Sequence, residues 1–89
     1  MNQWVEIDDR SAVAVVRRLA RRYGAEIGLS ERRLEELAIV VTEASTNILR
    51  YAERGRALAS MTRAPGVAQL VLIFTDRGAG ISDVDRMFQ

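Results

Sequence analysis

The chain contains no cysteine, no histidine and no lysine. Without cysteine or histidine there is no disulfide framework, thiol nucleophile, Ser–His dyad or Cys/His zinc site. Without lysine there is neither a Schiff-base amine nor the lysine of a phosphate-binding P-loop. Long apolar runs are missing too: none approaches the roughly 18 to 20 residues that span a bilayer. The amino terminus, Met1-Asn2-Gln3-Trp4, lacks the features of a signal sequence, so a cytoplasmic location is expected. Chemistry is left to carboxylates, amides, hydroxyls and arginines.

What is present is globular. Of 89 residues, 48% are apolar and 28% charged, which is enough to form a core and too little sequence for two. A single domain over residues 1–89 is expected. The formal charge of +1 implies no polyanionic partner by itself, although the 13 arginines could still act locally if clustered.

Trp4-Val5-Glu6-Ile7 alternates as a short strand, and Asp8 or Asp9 can cap the next element. From Ser11 to Tyr23 apolar residues recur every three or four positions, predicting an amphipathic helix whose end Gly24 and Gly28 frame. Ser30 caps a second helix reaching about Ala52, with Leu34, Leu37, Val41, Ala44, Ile48 and Ala52 as its buried stripe. Gly55 ends that helix. Ala57–Thr62 and Val67–Thr75 read as a hairpin around Ala64-Pro65-Gly66. The unbroken run Leu70-Val71-Leu72-Ile73-Phe74 predicts a central strand covered on both faces, with Val71 and Ile73 against the helix. Ser82 opens a third helix. The expected fold is α+β, with two helices on one face of a mostly antiparallel sheet.

Two constellations could carry chemistry. Glu43 and Asn47 are one helical turn apart and so share a face, nearly opposite the buried stripe. An amide oxygen is a hard, neutral ligand suited to Mg²⁺, and a carboxylate beside it can accept a proton from a hydroxyl. The same pair also suits a solvated helix face. The second is Asp76-Arg77-Gly78-Ala79-Gly80, following the apolar strand. An acceptor-only carboxylate matches the exocyclic amine of adenine and repels the oxygen of guanine, while Gly78 and Gly80 let backbone approach a flat ligand. An ordinary Asp/Gly turn reads the same way in isolation.

In this order, helix then hairpin then glycine loop, the two stretches resemble the GHKL (Bergerat-fold) ATPase superfamily, and within it the anti-sigma-factor type of serine/threonine kinase. Glu43–Asn47 resembles the family's N-box and Asp76–Ile81 its first glycine box. Thr42 to Ala52 is more similar to the RsbT-like switch kinases of bacterial stress-response modules than to anti-sigma factors carrying a histidine after the asparagine. The resemblance implies ATP and Mg²⁺ as cofactors, with Mg²⁺ on Asn47, Glu43 as the catalytic base, and Asp76, Gly78 and Gly80 around adenine. It also implies partner switching with a STAS-type antagonist, a sigma factor or a PPM-type phosphatase.

The family's lid and second glycine box have no counterpart here, so the expectation is an incomplete Bergerat domain with little or no kinase activity of its own. Such a domain would expose a sheet edge through which a homodimer could form. Two other classes compete. A non-catalytic interaction module would keep the fold as a docking surface. A nucleic-acid binder would use Arg17, Arg18, Arg21, Arg22, Arg32 and Arg33, but Glu26, Glu31, Glu35 and Glu36 beside them disfavour it.

Overall fold

A computed structural model describes residues 1–52 and 54–76. The chain runs through β1 (Asn2–Ile7), α1 (Arg10–Glu26), α2 (Glu31–Tyr51), β2 (Gly55–Ala64) and β3 (Val67–Asp76). The caps sit where the sequence puts them. Asp9 Oδ1 accepts the backbone N–H of Ser11 at 2.8 Å, opening α1. Ser30 Oγ accepts the N–H of Arg33 at 3.2 Å, opening α2. Each oxygen satisfies one of the first-turn donors that no helical carbonyl can reach.

Gly24 does not end α1 but lies within it, buried. A Cβ there would stand 2.7 Å from Leu34 Cδ2, so its bare backbone admits the first turns of α2. Gly28, with φ of 91°, turns the chain instead. Gly55 likewise begins β2 rather than ending α2.

The three strands form one antiparallel sheet in the order β1-β2-β3, with β2 and β3 joined at Pro65-Gly66. Both helices pack on one face of it. The expected α+β architecture is therefore observed. The core joins Ile7 of β1; Val16, Leu19 and Tyr23 of α1; Val41, Ala44 and Ile48 of α2; and Ala57, Ala59, Leu72 and Phe74 of the sheet.

β3 departs from expectation in its facing. Among the described residues it pairs with β2. Its helix-facing residues are Leu72 and Phe74, whereas Val71 and Ile73 point to the other face and are half-buried. A run of five apolar residues carries no alternation, so parity was set by pairing rather than by pattern. On the outer face Ile73 lines up with Leu58 and Trp4 in one cross-strand row. The third helix expected from Ser82 lies outside the described residues.

Candidate functional site

Glu43 and Asn47 are both exposed on α2. The flank of α2 that meets α1 is marked by Thr42, which accepts a hydrogen bond from Arg17, and by Thr46 and Leu49, which share a groove with Arg10 and Val13. At about 100° per residue, Asn47 lies about 160° around the helix from Leu49. Its amide therefore projects from the flank away from α1. Glu43 borders a hollow of about 340 Å³ with Arg17, Ala38, Ile39 and Thr42.

Asp76 is half-buried at the last position of β3, paired across the ladder with Gly55. It keeps the parity of Leu72 and Phe74, so it belongs to the helix-facing side of the sheet. The approach of α2 to this corner is close. A Cβ on Gly55 would be 2.9 Å from Ile48 Cγ2, 3.1 Å from Asp76 Cα and 2.1 Å from the Thr75 carbonyl oxygen. Ile48 directly follows Asn47, so the turn bearing the amide rests on the sheet beside the end of β3 that carries Asp76. Asp76 also borders an open hollow of about 620 Å³ with Trp4, Glu6, Arg54, Arg56 and Thr75.

The hollow beside Asp76 includes neither Glu43 nor Asn47, and the hollow beside Glu43 does not reach Asp76. Gly78 and Gly80 lie outside the described residues. Among the described residues there is no cluster of three or more acidic side chains of the kind that holds a metal by itself.

Comparison with known protein families matches residues 7–87 to the Histidine kinase-like ATPase domain. The chain belongs to this family. Histidine kinase-like ATPase domains of this type are typical of anti-sigma-factor serine/threonine kinases, and the family typically binds ATP with Mg²⁺. The match spans both constellations read from the sequence, Glu43 to Asn47 and Asp76 to Gly80. Among curated proteins no significant match is found. No helix among the described residues is long and apolar enough to cross a membrane.

The donor set fits nucleotide and metal in kind. Asn47 offers one neutral oxygen, which suits a Mg²⁺ that keeps water and takes its other ligands from phosphate. Asp76 offers a carboxylate at a strand end, half-shielded from water, where a hydrogen bond to an amine is less diluted by solvent. Two features of this region escaped the sequence pattern. Ser45, between Glu43 and Asn47, is fully buried, and among the described residues its Oγ has no hydrogen-bond partner. Gly55 is the contact point of helix and sheet; its only sequence signal was a glycine after a helix, which equally suits a helix stop.

Proposed function

We propose that this chain is the ATP-binding part of a serine/threonine protein kinase of the switch-kinase type, RsbT-like within the anti-sigma-factor group, acting in a bacterial stress-response partner switch. The observation that carries this is the seat of Ile48 on Gly55, which brings the Asn47 turn of α2 beside Asp76. In this reading Asp76 accepts the adenine amine, and Gly78 and Gly80 follow it around the ring. Asn47 would hold Mg²⁺, which would supply positive charge where the phosphates sit. Glu43 takes the proton of a serine or threonine hydroxyl as that oxygen bonds the γ-phosphorus and the bond to the β-phosphate oxygen breaks, leaving ADP.

The partner is proposed to be a STAS-type antagonist, a sigma factor or a PPM-type phosphatase, by likeness to the family's regulators. Self-association through a sheet edge belongs to the same proposal, since among the described residues β1 pairs on one side only.

Titration with ATP and with GTP, each with Mg²⁺, tests the reading. Calorimetry follows the binding, since the single tryptophan, Trp4, lies on the outer face of the sheet. ATP is expected to bind more tightly than GTP, and Asp76→Asn to erase that preference. Equal affinity for both nucleotides, or a preference that survives Asp76→Asn, refutes the site.

A further inference from the structure

The groove between α1 and α2, on the flank opposite Asn47, carries three guanidinium groups: Arg10 and Arg17 from α1 and Arg50 from α2. It measures about 480 Å³, and no carboxylate lines it. Elsewhere on these helices three arginines are matched by acids, Arg21 with Glu31 at 3.6 Å, Arg22 with Glu26 at 3.9 Å and Arg33 with Glu36 at 3.4 Å, while Arg18 and Arg32 stand exposed and apart from the groove. Among the described residues, Arg10, Arg17 and Arg50 form no ion pair. Glu43 borders the adjoining hollow with Arg17 yet does not pair with it. Arg50 also lies over the Tyr51 ring, 5.9 Å from its centroid. The groove thus gathers three cations with no carboxylate in its lining, a local positive field that suits an anionic occupant.

Arg17 is also held in position. It is half-buried and donates to Thr42 Oγ1 at 3.4 Å, while the Thr42 hydroxyl donates to the Ala38 carbonyl at 2.7 Å. The floor between the arginines is apolar, formed by half-buried Val13, Ala14 and Leu49. An occupant must therefore combine negative charge with an apolar seam.

We infer that this groove docks an acidic, amphipathic segment of a partner protein, with carboxylates on Arg10, Arg17 and Arg50 and an aliphatic stripe on Val13, Ala14 and Leu49. A nucleic acid meets the charge requirement and not the other. Its backbone has nothing to place on the apolar floor, and its continuation along α1 would run into Glu26 and Glu31. The inference uses none of Glu43, Asn47 or Asp76, so it stands or falls apart from the nucleotide site.

The probe is a fluorescent synthetic helix of leucines and glutamates at amphipathic spacing, with a glutamine-for-glutamate counterpart and random duplex DNA as comparisons. The full chain should bind the acidic helix in preference to both, and more weakly as salt rises. Arg17→Glu, and separately the Arg10→Glu/Arg50→Glu pair, should each weaken it on the order of tenfold or more. The Arg32→Glu/Arg33→Glu control, with the same net change as the pair, should leave it within about twofold. Arg10 and Arg50 are exposed, so that pair tests the groove even if the half-buried Arg17 substitution unfolds the chain. No binding of the acidic helix, equal loss in the control, or preference for DNA overturns the inference.

Discussion

Ile48 and Gly55 meet so closely that no side chain fits between them: a Cβ at residue 55 would lie 2.9 Å from Ile48 Cγ2 and 2.1 Å from the Thr75 carbonyl oxygen. The second neighbour is backbone of the paired strand, which cannot rotate away, so even one methyl must lift α2 or open the ladder. Both shifts fall on Asp76. Gly55→Ala is expected to cost about 3 kcal/mol, the upper end for overpacking, seen as a lowered thermal midpoint. If the variant still folds, ATP affinity should drop with it; an unchanged melting curve would show that the contact is slack.

The parity of β3 gives a prediction that contrasts adjacent residues. Leu72 is 4% exposed beneath the helices, whereas Ile73 is half-buried on the outer face. Leu72→Ala should cost about 2 to 5 kcal/mol in urea unfolding, and Ile73→Ala clearly less. Equal losses would mean that both faces of β3 are packed alike.

Ser45 predicts a gain. Its hydroxyl is withdrawn from water without a partner among the described residues, a penalty that alanine does not incur. Ser45→Ala should raise stability by about 1 kcal/mol while leaving Glu43 and Asn47 in place. A destabilised variant would reveal a partner for the hydroxyl in the folded chain.

Acid should loosen α1 from its amino end. The Ser11 hydroxyl, and then the Ser11 backbone N–H, donate to Asp9 and hold its carboxyl below the ordinary aspartate value of 3.8. A carboxyl lowered on folding contributes stability that is complete above its unfolded value and is lost as pH falls through the folded one, below 3.8. Helicity measured through that range should decline less steeply in Asp9→Asn, which caps without titrating. Parallel acid profiles would remove Asp9 from the account.

Asn47 and Asp76 should separate by ligand dependence. Asn47→Ala is expected to abolish the strengthening of ATP binding by Mg²⁺ while leaving adenine favoured over guanine; Asp76→Asn should do the reverse. Titrations with and without Mg²⁺ decide this. Loss of both properties in both variants would indicate a general collapse of the corner.

The sequence alone determined the helix caps and the hairpin turn of this protein, though not the roles of Gly24 and Gly55. Asp9 and Ser30 capped their helices, Pro65-Gly66 closed the hairpin, and the stretches around Glu43 and Asp76 resembled a family whose domain matches residues 7–87. Such signals depend on hydrogen bonds and backbone preferences within a few residues, so composition and spacing carry them whole. Tertiary structure decided which side of β3 is inner, that Gly55 is a seat for Ile48 rather than a helix stop, and that Arg10, Arg17 and Arg50 share one groove without counterions. Those facts depend on which surfaces meet after the chain has closed on itself. An apolar run, an isolated glycine and scattered arginines look the same in a sequence whichever surface they come to face.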